Sequence, residues 1–380
     1  MNSEATTLPD LDTCLMRFEA AYARQTLEPV RAAPLASKLA LGIEQALMAQ
    51  FLGADLGRYY GGTSADQIIF QLSAQLWRRE QFPELGIGLT KSVMPDVGVA
   101  LPATVLGVPW TPRPGQEPWA SGEPPITSTE DLEGRPLPDF YTAGMMPLII
   151  ARRQEMQSIL GGGYAVGTPP WVRGPLGNAF YLAGAERTLM ALYSDQTFFH
   201  RLMRYGLEAM AKWMRQRAEY LGVPLAASAA ASTLWNDEVS AENFSPAVYR
   251  AMIGPYDREF HDLLGGNIVF HSCGRTTPLM GEIANVAPWT CFHVSAWSDV
   301  DEALRVFPDT PLLVCLHPYH DMLGATPERT ATRVHEIAHK CAGHEYTLCL
   351  TELLPVNGPH EDLRRIKDAL AICADILLVP

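Results

Sequence analysis

The chain has 380 residues, 47% of them hydrophobic and 19% charged, which is enough apolar sequence for a large core and too much for a disordered chain. A formal net charge of −13 without any Lys/Arg-rich run argues against a nucleic-acid surface, because that affinity comes mainly from neutralised phosphates. No apolar stretch reaches the roughly 20 residues needed to cross a bilayer, the first residues lack the basic start and apolar segment of a signal peptide, and seven cysteines in apolar contexts read as reduced thiols; a cytoplasmic protein is expected.

In chain order, residues 1–80 read as a helical N-terminal extension. Apolar residues recur at three and four over 11–25, 34–52 and 64–79, and Thr63-Ser64 offers an N-cap. Residues 97–140 are rich in Pro and Gly, as in Val108-Pro109-Trp110-Thr111-Pro112, and predict a long loop or a pair of short hairpins. Beyond about 145, short apolar runs at 164–168, 224–231, 267–270, 291–294, 312–315 and 346–350 are expected as strands. Helices are expected between and after them at 185–194, 196–222, 245–264, 276–285, 300–307, 326–342 and 361–374. Repeated strand–helix alternation predicts a parallel sheet, and the length makes a closed (β/α)8 TIM barrel over 81–380 the expected architecture, in one structural domain with the N-terminal extension. A doubly wound dinucleotide fold would need a G-x-G-x-x-G turn opening a helix, whereas Gly161-Gly162-Gly163 precedes a strand.

The most informative motif is His271-Ser272-Cys273, directly behind the run 267–270. Alternate residues of an extended chain point the same way, so the imidazole and the thiol project together. Cys349 ends the later run Tyr346-Thr347-Leu348 in the same manner. One nitrogen and two sulfurs form a zinc-type ligand set, and with only three protein ligands the metal keeps an open position and acts as a Lewis acid. The plainer reading of each residue alone is a packed thiol and a hydrogen-bonding imidazole. The expected barrel favours the metal, since its active sites form at the C-terminal strand ends where all three residues fall.

Other candidates surround this set. Asn236-Asp237-Glu238 follows a strand, and Asp237 is a candidate to hydrogen-bond substrate or orient a ligand; a solvated N-cap is the alternative. Glu352, three residues past Cys349, is a candidate to protonate a leaving group or fill the open metal position. His317 and His320 end another strand, with His317 a candidate acid/base group. Trp171, Trp235 and Trp297 near strand ends, with Asn236, are candidates for a substrate pocket. His335, His339 and His344 fall on or after an outer helix and read as peripheral.

Several segments together resemble the uroporphyrinogen decarboxylase superfamily, and specifically its zinc- and corrinoid-dependent methyltransferase branch. They are Tyr59-Tyr60-Gly61-Gly62-Thr63, Arg173-Gly174-Pro175-Leu176 before Leu182-Ala183-Gly184-Ala185-Glu186, Leu192-Tyr193-Ser194-Asp195, Phe244-Ser245-Pro246 with Gly254-Pro255-Tyr256, and His271-Ser272-Cys273-Gly274 with Thr276-Thr277-Pro278-Leu279. The resemblance implies a (β/α)8 barrel with Zn2+ on His271, Cys273 and Cys349. It further implies methyl transfer between a small substrate (a methoxylated aromatic compound undergoing O-demethylation, a methylamine or a thiol) and the cobalamin of a corrinoid protein. No D-x-H-x-x-G motif is present, so the corrinoid is expected on a separate partner. The alternative is a decarboxylase of heme biosynthesis, but its M-R-Q-A-G-R motif is absent; Met214-Arg215-Gln216-Arg217 lies inside a helix, and an acidic chain is a poor host for an octacarboxylate.

Overall fold

Five of the apolar runs expected as strands, or the residues beside them, lie side by side and parallel with a sixth that the sequence reading placed in a helix. The computed structural model describes residues 8–27, 34–110, 117–120, 122–225, 232–265 and 267–378. Its main sheet is a curled sheet of six parallel strands: β1 (Leu39–Ile43), β4 (Ser232–Trp235), β5 (Ile268–His271), β6 (Cys291–Val294), β7 (Leu312–Cys315) and β8 (Tyr346–Leu353), in the order β1-β8-β7-β6-β5-β4. The two remaining strands, β2 (Ser92–Val93) and β3 (Ala165–Val166), pair only with each other. The main sheet among the described residues therefore has six strands where eight were expected. Beside β4 the chain runs Thr168-Pro169-Pro170-Trp171 to Pro175, whose prolines have no N–H for a ladder, and it contributes one bond from Gly174 N to Trp235 O at 2.6 Å.

β1 corrects the expectation of one helix over 34–52. Leu39-Ala40-Leu41-Gly42-Ile43 is helix-prone by composition, yet it pairs with β8, Leu39 with Leu348 and Ala40 with Cys349. Tertiary pairing overrides propensity here, and only Gln45–Leu52 of that stretch is α-helix. The sheet passes closely at Gly42, where an added Cβ would lie 3.1 Å from the Thr351 methyl.

The flanking helices agree more closely. Leu11–Leu27, Ala185–Ser194, Gln196–Leu221, Pro327–Lys340 and Pro359–Leu377 form where the period of 3.6 placed them. Ser64–Gln81 starts with a full capping box, the Thr63 hydroxyl accepting from Asp66 N while the Asp66 carboxylate accepts from Thr63 N. The expected helix over 245–264 carries a π-turn at Tyr249–Ile253 before Gly254–Leu263, with Pro255 preventing a regular continuation. Helices at Met146–Leu160 and Pro175–Ala183 escaped the sequence reading. The expected strand at 224–231 lies almost entirely outside the described residues, and β4 begins just after it.

Outward-facing residues of the strands, such as Ile268, Phe270, Phe292, Leu312, Val314, Leu348 and Leu350, are fully or almost fully buried against the helices. Their inward-facing neighbours are chemically different: His271, Cys291, His293, Cys315 and Cys349. The alternation of period two thus places core on one face and imidazoles and thiols on the other.

Candidate metal centre

Strand ends β4 and β5 build the site. β4 and β5 pair in register up to Trp235 with His271, and Asn236 N donates to His271 O at 2.8 Å. That pairing sets Asp237 beside the turn His271-Ser272-Cys273. Asp237 Oδ1 accepts from Cys273 N at 3.2 Å and lies 3.3 Å from His271 Nε2, which is 3.2 Å from Cys273 Sγ. Among the described residues, Asp237, His271 and Cys273 are the one group of three such side chains whose donor atoms all lie within 4.8 Å of one another.

These separations suit a metal. Bonds of about 2.0–2.3 Å in a tetrahedron put neighbouring ligand atoms roughly 3.3–3.8 Å apart. The electrostatics suit it too. Burial pushes the Cys273 thiol well up, and the Asp237 and Glu352 charges push it further, so without a cation it stays protonated and donates to Glu352 Oε1 at 2.8 Å. Burial would also raise Asp237, but the His271 hydrogen bond and the charges of His271 and Arg173 outweigh it and hold the carboxyl at about 2.

Supporting residues fix these three. Arg173 Nη1 reaches Asp237 Oδ2 at 2.8 Å, and its Nε lies 3.6 Å from Glu238 and 3.2 Å from the Tyr181 hydroxyl. The Trp235 ring packs 4.4 Å from that of His271 on one side, and the His293 ring lies 4.0 Å from it. His293 Nδ1 donates to Ser272 O at 2.9 Å, which leaves Nε2 to accept from Cys315 Sγ at 2.9 Å. Burial, then the His271 charge, lowers His293 to about 3, so it is a neutral brace.

Of the metal ligands expected from sequence, His271 and Cys273 come together, and Asp237 joins them. Cys349 does not enter the close group: it pairs in register with Cys315, its Sγ 3.8 Å from Thr347 O. Glu352 is the β8 residue that touches Cys273. Extending the pairing rows sets Cys273 level with Ser295, Cys315 and Cys349, so the contact with Glu352, three residues beyond that row, reflects the tilt of the strands across the curled sheet. Glu352 is also the one non-glycine residue with positive φ (59°) among those described, a conformation costing roughly 1–2 kcal/mol.

His317 lines the same cavity of about 120 Å³ as Cys273, His293, Trp297, Cys315 and Glu352. Its Nδ1 accepts from Tyr319 N and His320 N, so the ring proton sits on Nε2, and burial, then His320, lowers its pKa. Trp297 stands 57% exposed at the rim, 4.7 Å from the His317 ring. Trp171 instead lies in the core, its indole N–H donating to Asn178 and its ring 5.4 Å from Trp213. Asn236 is fully buried beneath the site and donates to Asp257. Arg173, His293 and Cys315 had no role in the sequence reading, although Cys291-Phe292-His293 repeats the alternation that singled out His271 and Cys273.

Asp257 supplies a test of this buried support. Its Oδ2 accepts from Asn236 and the Tyr249 hydroxyl, its Oδ1 has no partner, and burial raises the carboxyl from 3.8 to about 7. A carboxyl with a raised folded pKa binds more protons folded than unfolded, so its contribution is full below the unfolded value and is lost as pH rises through the folded one. Thermal melts should show Asp257→Asn losing less Tm than the parent chain between about pH 5 and pH 8; parallel losses would contradict the buried-acid assignment.

No curated protein sequence matches the chain. A solved methyltransferase from Methanosarcina mazei is similar at 15% identity and a TM-score of 0.63, over 97% of this chain and 99% of that one, a likeness of fold. The family model described as Uroporphyrinogen decarboxylase (URO-D) matches residues 92–371, that is 371 − 92 + 1 = 280 of the 380. With that match over the strands and turns that carry the site, the chain belongs to the uroporphyrinogen decarboxylase family.

Proposed function

We propose that this protein is a zinc-dependent methyltransferase that moves a methyl group between a small methylated substrate and a corrinoid carried by a separate protein. The reading also takes the curled sheet as the larger part of an eight-stranded barrel. The observation that carries it is the imidazole, thiol and carboxylate with mutually close donor atoms at C-terminal strand ends, with Cys273 lining a cavity beside Glu352. The fold shared with a methyltransferase supports it.

His271, Cys273 and Asp237 would hold the ion, with Glu352 as a fourth donor that gives way to substrate; Cys349, the sulfur implied by family resemblance, is the competing third ligand. Zinc, when bound, supplies a Lewis acid that stabilises a heteroatom losing its methyl group or an incoming thiolate. Arg173 orients Asp237 by holding its outer oxygen. Trp235 and His293 clamp the His271 ring from its two sides. His317, neutral with Nε2–H available, would donate a hydrogen bond to the leaving group or to the substrate heteroatom. The mouth is acidic through Asp237, Glu352 and Glu44, and Arg173 is already engaged, which disfavours a polycarboxylate porphyrinogen.

The test is methyl transfer from a methoxylated aromatic, a methylamine or a methylated thiol to free cob(I)alamin, followed by the cobalamin visible spectrum. Stoichiometric zinc and turnover with one of these classes are expected. Metal-free protein that decarboxylates a porphyrinogen would overturn the proposal.

A further inference from the structure

Next to Glu352, across one strand, the mouth carries a second group of carboxyls that the methyl-transfer site does not use. Glu44 directly follows β1, and its N donates to Leu353 O at 3.1 Å. Its neighbour Gln45 reaches Asp96 Oδ2, which also accepts from the Tyr59 hydroxyl at 2.6 Å. Asp96 Oδ1 accepts from Gly98 N at 2.8 Å, and Glu117 lies over the same glycine: a Cβ there would come within 3.0 Å of Glu117 Oε1, and φ is +63°. Only glycine leaves room for that carboxyl.

Arg152 acts on this group through Asp96, and no cation among the described residues acts on its Glu44 and Glu117. Burial and then Glu352 raise Glu44, and burial, Glu44 and Asp96 push Glu117 up to about 7. Arg152, which feels Asp96, has its guanidinium bonded to the carbonyls of Tyr60 and Gly62. Tyr60 is the independent sign of a ligand. It is 3% exposed, its ring is 4.7 Å from that of Tyr59, and its hydroxyl is buried without a hydrogen-bond partner among the same carboxyls. A buried hydroxyl left unsatisfied is costly, so it marks a place where a partner is missing. The carboxyl oxygens do not approach one another within chelating distance as Asp237, His271 and Cys273 do, so an organic cation suits them better than a bare metal ion.

We propose that Glu44, Asp96 and Glu117, with the Tyr60 hydroxyl, form a subsite for a protonated amine on the end of the substrate remote from its methyl-bearing heteroatom. This rests on the methyl-transfer reading, and it names the substrate class as a methyl ether, thioether or thiol that also carries an ammonium group. The ammonium donates to the Glu44 and Glu117 carboxylates and to the Tyr60 oxygen, which places the heteroatom toward Cys273 and Glu352.

Calorimetric titration with propylammonium and with propan-1-ol, a neutral probe of similar size, tests the subsite without methyl transfer. Propylammonium is expected to bind about tenfold more tightly than the alcohol, and to lose about that factor in Glu117→Gln and Glu44→Gln. Tyr60→Phe keeps the fold intact, since the hydroxyl makes no bond in the free protein; it should weaken amine binding about threefold while Tm holds or rises. Equal affinity for amine and alcohol, or amine binding indifferent to both Glu117→Gln and Tyr60→Phe, would overturn the subsite. The titration is repeated in His271→Ala, where amine binding is expected to persist. Persistence alongside a parent protein that transfers no methyl group would sink the methyl-transfer reading and keep the subsite. Methyl transfer alongside equal amine and alcohol binding would sink the subsite alone.

Discussion

Cys273→Ser is expected to empty the metal centre and to lower kcat/KM for methyl transfer by about a thousandfold, whereas Cys349→Ser changes either by no more than about threefold. Cys273 lies within 4.8 Å of both a nitrogen and an oxygen donor, and the thiolate is the strongest zinc ligand of the group. Its replacement removes the one soft donor and leaves two acids and an imidazole, a weaker set at the same positions. Glu352→Gln should fall between, at roughly ten- to a hundredfold, because it weakens only the donor that gives way to substrate and the contact with Cys273. Zinc analysis of the purified variants, alongside the cobalamin assay, checks all three. Loss of metal in Cys349→Ser equal to that in Cys273→Ser would restore the His271, Cys273, Cys349 set and remove Glu352 from it.

Arg173→Met is expected to destabilise the fold by about 3–5 kcal/mol, the range for removing one partner from a buried ion network. The Arg173 side chain is 12% exposed and faces Asp237 and Glu238, at 27% and 15%. Without it two partly buried carboxylates lose the guanidinium they share, and Glu238 Oε2 already lacks a hydrogen-bond partner. Bound zinc would offset part of the loss, because a ligand that binds only the folded state stabilises it by mass action. Denaturant melts with and without zinc should therefore show a larger loss in the metal-free protein. Arg173→Lys keeps the charge and gives up the planar fork that spans both acids, so it recovers only part of the stability. A loss below about 1 kcal/mol in metal-free Arg173→Met would place this network among weak surface pairs instead.

Much of this was legible along the chain. The alternation of strands and helices after 145, and the projection of His271 and Cys273 from one strand end, follow from local periodicity and appear where expected. Asp237 and Glu352 were picked out by position after a strand. The expected helix over 34–52 gives way to β1 because Leu-Ala-Leu-Gly-Ile has no strand signature until β8 lies beside it. Cys349 and Cys273 both end apolar runs, which fixes height on each strand but not the tilt between strands, so it is Glu352 that touches Cys273 while Cys349 pairs in register with Cys315.

The amino-acid order by itself determined the parallel α/β architecture, the inward line of imidazoles and thiols, and the common projection of His271 and Cys273, because each depends on periods of two and 3.6 that neighbouring residues set. Tertiary structure alone decided that Glu352 meets Cys273, that Arg173 locks Asp237, and that the half-buried Glu44 and Glu117 gather near the buried Tyr60. Those meetings depend on register, strand tilt and burial, which exist only once segments distant in the chain are packed together and water has been excluded between them.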